Sequence, residues 1–241
     1  MPPVPLVFCS FAEPVVRGTF LRRYKRFFVD VEVDGVVHTA HTANTGAMTG
    51  LLVEGAPVLL TRHDKKTRKL PLELEAIDVG NGGGAASWVV VNTIRANRTA
   101  GAFIRSGVFP ELGTEITGTE VKIDDSRVDF TVGTRLVEVK SVTLRVGAVG
   151  RFPDARSERA LKHADMLRAH VDTGAALVFL CQRTDVDRVA PADDVDPAYG
   201  AALRRAAAAG VWMLAASVAV TFGNDGAALL SCGRRIPVDL S

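Results

Sequence analysis

The sequence predicts two domains of different class: an all-β barrel first, then an α/β domain whose mixed sheet is flanked by helices. Three observations predict it. Up to about Val79 the chain carries short alternating runs separated by glycine-bearing turns, with no helical period. Gly80-Asn81-Gly82-Gly83-Gly84 then interrupts the pattern. Beyond it, strand-like runs alternate with helical stretches closed by Gly107, Gly174 and Gly210. The expected division is residues 1–84 and 85–241.

In the first domain, Phe28 to Val33 alternates cleanly and Asp34-Gly35 turns it into Val36 to Ala40. Pro57 to Thr61 and Leu70 to Val79 supply further strands. Several short strands in so little chain suggest a small closed barrel of the OB type. The glycine run, with Ala85, nominally matches a dinucleotide fingerprint. It is followed by the strand-like Trp88-Val89-Val90-Val91 and not by a helix, so a linker is the better reading.

In the second domain, Thr93 to Ser106 reads as a helix, and Glu120 to Phe130 and Leu136 to Leu144 as strands. A helix is expected from Pro153-Asp154 to about Val171, then a buried strand Ala176 to Cys181. That passage is long enough for a parallel crossover. Pro197 to Ala209 forms the last helix, Val211 to Thr221 a strand, and Asn224-Asp225-Gly226 the final hairpin turn. Asp193, Asp194 and Asp196 precede Pro197 as capping residues.

The chemistry gathers in Ser126 to Lys140. Gly133-Thr134 suits a two-residue type II′ turn. Val132 then faces Arg135, and counting outward sets Asp129 opposite Glu138, with Lys140 two residues on and on the same face. Val128, Phe130, Val137 and Val139 point into a core. Facing like charges are destabilising and call for a counter-ion. Two readings stand: Lys140 neutralises a solvated Glu138, or Asp129 and Glu138 hold a divalent cation, Mg2+ or Mn2+, beside the ammonium. The order of helix, strand, hairpin, crossover helix and strand is that of restriction-endonuclease-like, metal-dependent nucleases with a D…E-x-K core.

Arg17, Arg22, Arg23, Lys25 and Arg26 cluster around Phe20, Tyr24 and Phe27. Basic residues interleaved with aromatics can follow a phosphate backbone while rings stack on bases; a solvated strand face with buried rings is the alternative. The run Arg62 to Lys69 reads as a basic loop, and Asn44-Thr45-Gly46-Ala47-Met48-Thr49-Gly50 as a polar loop able to offer amides to an anion, or as a plain turn. Arg159, Lys162 and His163 recur at helical spacing and share a face that could contact phosphate or line the metal cleft, or simply be solvated; Gln182-Arg183 ends a buried strand, where ligands of α/β sheets collect.

The chain has 241 residues, 47% of them apolar, and a net charge of +2. The charge argues against wholesale coating of a polyanion and leaves local clusters to do the work. Cys9, Cys181 and Cys232 show no C-x-x-C spacing, which fits a reducing cytoplasm better than a disulfide framework or zinc ribbon. No charged n-region precedes a long apolar stretch, and the longest apolar run, Val211 to Val220, is too short to cross a bilayer. A cytoplasmic, non-membrane protein is expected, with a homodimer left open.

These residues together resemble the sugar fermentation stimulation protein A family. The resemblance rests on Phe20 to Phe27, Asn44 to Gly50, Arg68-Lys69-Leu70-Pro71, Val91-Asn92-Thr93 with Ala96-Asn97-Arg98, Ser126 to Phe130, Val137 to Leu144, and Phe152 to Ala155 followed by Glu158-Arg159 and Lys162-His163. It covers nearly the whole chain. It implies an OB-like β-barrel joined to a domain similar to PD-(D/E)XK nucleases. It also implies binding of nucleic acid, namely DNA, with little sequence preference, and a link to regulation of sugar (maltose) metabolism. Asp129, Glu138 and Lys140 fall on the nuclease-like motif. The nucleic-acid contacts expected are Arg17, Arg22, Arg23, Tyr24, Lys25, Arg26, Asn44, Thr45, Lys69, Arg159, Lys162 and His163.

One departure stands out. Thr99-Ala100-Gly101-Ala102-Phe103 carries no acid where the family's helix usually has one, leaving Glu111 or Glu120 as substitutes, and Gly101 is expected to shorten that helix. Three functions therefore compete: DNA binding without cutting, a Mg2+-dependent nuclease, and a regulator that works through protein contacts.

Overall fold

A computed structural model describes residues 8–11, 15–63, 68–80, 87–224 and 226–241. Residues 81–84 of the sequence-predicted linker, half of the basic loop (64–67) and Asp225 of the final turn fall outside them.

Five strands close the barrel: β2 (Val15–Tyr24), β3 (Phe28–Val33), β4 (Val36–His41), β5 (Pro57–Arg62) and β6 (Leu72–Asp78). The order is β4-β3-β2-β5-β6, and a parallel contact of His41 with Glu73 joins the two ends. Inward side chains such as Phe20, Val31, Leu60 and Leu74 form its buried core. A short strand β7 (Trp88–Val90) adds to β6, and the first strand, β1 (Phe8–Ser10), pairs instead with the far sheet. Barrel pairing therefore continues past residue 84, and the first described strand belongs to the far sheet.

The second sheet has the order β1-β16-β15-β13-β10-β9-β8. Its members are β8 (Ile116–Ile123), β9 (Ser126–Val132), β10 (Arg135–Val142), β13 (Ala175–Cys181), β15 (Trp212–Phe222) and β16 (Ala228–Arg235). Strands β10, β13 and β15 are parallel, as a crossover requires, and are flanked by antiparallel neighbours. Buried on both faces, β13 reads as an unbroken apolar run. Helix α1 (Ile94–Arg105) covers one face with Ala96, Ala100, Phe103 and Ile104. Helices α2 (Glu158–Ala169) and α3 (Pro197–Ala208) cover the other. A small sheet of β11 (Leu144–Val146), β12 (Val149–Phe152) and β14 (Arg188–Pro191) stands beside them.

Four expectations are corrected. The strand expected over Glu120 to Phe130 is two strands, because Asp124 takes a left-handed φ of 50° and reverses the chain. The second helix starts at Glu158, since Ser157 caps it by accepting from Ala160 N–H at 3.1 Å, and residues 153–157 form an irregular link from β12. Of the three aspartates, only Asp196 caps α3, accepting from Tyr199 N–H; Asp193 and Asp194 pair with Arg204 and Arg151. Helix α1 is not shortened: Gly101 sits in its middle and packs near Phe130.

The two domains share apolar contacts. Leu59, Ala76 and Val90 of the barrel side join the core under α1. The buried Glu75 of β6 meets Arg95 of α1 at 2.7 Å and also accepts from Thr61 Oγ1 at 2.8 Å.

Candidate functional site

The β9–β10 hairpin turns at Gly133, which takes φ 58°, a left-handed value natural for glycine at the first central position. The pairs Val132↔Arg135, Thr131↔Leu136 and Phe130↔Val137 follow the predicted register and then stop. One further step would set Asp129 against Glu138, the expected pair, and a second Val128 against Val139; the ladder includes neither, which corrects that expectation. Instead the Asp129 carboxylate accepts the Val139 N–H at 2.7 Å, so a side chain takes a group that a backbone carbonyl would use. Past that point Val128 packs with the α2–α3 core while Phe130, Val137 and Val139 pack under α1. This corrects the expectation that all four share a face. Its cause is the parting of the strands at Asp129.

Asp129 also accepts from Asn97 Nδ2 of α1 at 2.7 Å. Glu138 is buried, and its Oε1 receives Lys140 Nζ at 2.8 Å and contacts His163 Nδ1 of α2. His163 Nδ1 lies 3.4 Å from Lys140 Nζ. Glu138 Oε2 is buried with no partner among the described residues. Burial, then the Glu138 charge, pushes Asp129 up to about 6, against the bonds from Val139 and Asn97 and the charge of Lys140. At Glu138 burial works the same way but is outweighed by the His163 contact and the Lys140 charge, which hold it below the ordinary carboxylate range. The sheet thus carries one firmly ionised acid, one reluctant acid and one ammonium.

Lys140 opens into a cleft of about 470 Å³ between barrel and sheet, whose walls include Arg26, Thr45, Asp154 and Arg156. The start of the barrel loop, Asn44 to Gly46, forms one wall. Arg23 ties it down, donating to the carbonyls of Asn44 at 2.7 Å, Gly46 at 2.9 Å and Arg26 at 2.9 Å. Asn44 Nδ2 donates to the Val91 carbonyl and its Oδ1 accepts from Gly46 N–H. Gly46 then lies so close to Asp154 that a Cβ there would overlap its carboxylate, and Asp154 accepts from Met48 N–H.

The predicted contacts divide accordingly. Lys25 and Arg26 occupy an exposed left-handed turn with φ 45° and 65°, and Arg26 and Thr45 reach the cleft. Arg23 and Asn44 are committed to the loop. Arg22 and Tyr24 both bond Asp30, at 2.8 and 3.1 Å. Arg17 lies over the Phe222 ring, 4.3 Å from its centre, and bridges the domains. Lys69 is exposed near His41 and Phe28, in a separate depression on the barrel. Arg159 and Lys162 are exposed, but His163 is buried against Glu138, so its expected phosphate contact is reassigned to that carboxylate. Arg183 is buried and held by Asp185 at 2.6 Å. Of the two substitute acids, Glu111 pairs with Arg235, whereas Glu120 lies 3.4 Å from Asn97 Nδ2. Spacing alone could not reveal Asn97, Asp154 or Arg156, because their partners lie far away in sequence.

Among the described residues no three His, Cys, Asp or Glu groups gather closely enough to form a metal cage. The acid pair still fits a hard divalent cation of the kind that takes one or two carboxylates and keeps its waters. The fit rests on the unpartnered buried Oε2 of Glu138 and the unfavourable charge on Asp129.

A closed barrel of the OB type, joined to a mixed sheet flanked by helices whose hairpin carries Asp129, Glu138 and Lys140, defines a two-domain α+β protein. The family description "SfsA N-terminal OB domain" matches residues 21–91, and "Sugar fermentation stimulation protein RE domain" matches residues 94–224. The chain belongs to the sugar fermentation stimulation protein family. A sugar fermentation stimulation protein homolog of Chromohalobacter salexigens is 40% identical over 236 residues, covering 94% of this chain and 93% of that one. Another, from Syntrophotalea carbinolica, is 43% identical over 211 residues, covering 84% and 89%. The structure of Pyrococcus furiosus SfsA in complex with Ca2+ superposes with a TM-score of 0.82 at 24% identity, covering 98% of this chain and all of that one, and supports the fold. Among the described residues no helix is long and apolar enough to cross a membrane.

Proposed function

We propose that this protein binds DNA in the cleft between barrel and sheet, with little sequence preference, as a cytoplasmic regulator of sugar utilisation. The single observation that carries the reading is the convergence of Arg26 from the barrel with Lys140 and Arg156 from the other domain on one cleft. Three cations from separate segments suit the repeating charge of a phosphodiester backbone and offer little that reads base edges. The sugar connection comes from the relatives' name. The test is affinity for unrelated DNA duplexes across a salt series. Affinity should fall steeply as salt rises, and Arg26→Ala with Arg156→Ala should weaken binding about equally for every sequence while making the salt dependence shallower by about 2 in log–log slope. A flat salt response would remove the reading.

A second reading, a divalent-metal phosphodiesterase, is favoured by Glu138 Oε2 and the raised Asp129. Asp129 and Glu138 would hold Mg2+ or Mn2+, and the cation would polarise a phosphate and activate water. That the family's Pyrococcus furiosus protein was solved with Ca2+ supports a cation of this class. Lys140, fixed by Glu138, would place its ammonium against charge developing on the phosphate. Metal-dependent cutting of DNA or RNA that disappears in Lys140→Ala supports it; cutting that survives the change assigns the activity elsewhere.

A further inference from the structure

A second groove, of about 290 Å³, opens along α1 and ends at Asp129. Its walls carry Arg98 and Arg105 from the helix, with Glu120 and Phe130 from the sheet. Residues 98, 101 and 105 recur at spacings of three and four, so they form one stripe of the helix. Both arginines are exposed, and neither forms a salt bridge or side-chain hydrogen bond among the described residues. Other arginines of this domain, including Arg135, Arg151, Arg183, Arg204 and Arg234, do carry such bonds.

Between the two arginines stands Gly101. A Cβ there would lie 3.3 Å from Arg105 Nη1 and 3.4 Å from the Phe130 ring. The glycine costs the helix about 1 kcal/mol relative to alanine. What it leaves is a notch bordered by the Arg105 guanidinium and the edge of the Phe130 ring. Arg98 and Arg105 are separated by about 10 Å along the helix axis, room for more than one phosphate of a strand. The groove is ordered by charge: the guanidiniums flank the helix, and the carboxylates of Asp129 and Glu120 stand at its sheet wall.

We infer that Arg98 and Arg105 form a second phosphate track on α1, so that one nucleic-acid strand passes Asp129 with backbone contacts in the interdomain cleft on one side and in this groove on the other. The inference rests on the DNA-binding reading and adds a surface to it. Without this track the bound strand ends at Lys140; with it, the backbone extends over α1.

The test is fluorescence anisotropy of a short DNA duplex of arbitrary sequence, titrated with the full chain across a salt series. Removing both cations with Arg98→Ala and Arg105→Ala should weaken binding about tenfold at low salt and make the log–log salt slope shallower by about 2. Gly101→Leu, which fills the notch without changing charge, should also weaken it. Thermal melting of each variant checks folding, and the exposed arginine positions keep the test valid should Gly101→Leu misfold. Arg168→Ala with Arg205→Ala, on α2 and α3, removes the same charge elsewhere and should leave affinity within about twofold. The inference is overturned if the Arg98/Arg105 variant binds with unchanged affinity and slope, or if the control pair loses as much. Wild-type binding that depends on Arg26 but ignores Arg98 and Arg105 removes this track alone. Wild-type protein with no salt-dependent binding removes the DNA reading as well.

Discussion

Asp129 is the residue on which the proposed metal reading turns. Its folded-state value of about 6 exceeds the ordinary 3.8 because burial and Glu138 disfavour its charge. Between about pH 4 and 6 the folded chain therefore keeps a proton that the unfolded chain has lost. Stability contributed by that proton is full below the unfolded value and is lost as pH rises through the folded one. Asp129→Asn removes the penalty: its stability relative to wild type should rise by about 1–3 kcal/mol between pH 4 and pH 7. Denaturant unfolding at the two pH values reads this directly, and a difference that does not change with pH would show that Asp129 ionises freely. Glu138 differs because His163 and Lys140 attend it. The pairing of Glu138 with Lys140 was open in the sequence as one of two readings. His163 was not, since a helix position two dozen residues away betrays nothing of where its ring will point.

Among the elements, the hairpin was the most legible. A glycine at the first turn position and strict alternation fixed the register that places Asp129 beside β10. Its far end was not legible, because the side chain of Asp129 replaces a ladder bond and local pattern cannot show a strand leaving its partner. The start of α2 was misjudged for a related reason: Pro153-Asp154 looks like a helix opening, yet Asp154 serves the barrel loop. The same contact makes a prediction. Gly46→Ala would thrust a Cβ into the Asp154 carboxylate, displace it from Met48 N–H and loosen the cleft wall. We expect a stability loss of about 1–3 kcal/mol by thermal or denaturant unfolding. Unchanged stability would mean that Arg23 and Asn44 hold the loop without Asp154.

At the scale of the molecule, barrel and sheet were each readable from period and turn chemistry. Their joining was not. It depends on Glu75 meeting Arg95, on Leu59 and Ala76 entering the far core, and on β1 pairing across to β16. None of these has a local signature: Glu75 in the sequence is one more polar residue in an alternating strand. Together they set Arg26 of the barrel over Lys140 of the sheet, and the cleft exists only through that union. The claim on which the two proposed readings divide is that Asp129 and Glu138, beside the cleft-lining Lys140, hold a divalent cation. Calorimetric titration of Mn2+ into the wild type and Asp129→Asn at about pH 7.5 and pH 5 tests it most directly. The account predicts binding to the wild type at the higher pH, about tenfold weaker at the lower because Asp129 must shed its proton, and none to Asp129→Asn. Equal affinity in wild type and variant, or binding indifferent to pH, would contradict it.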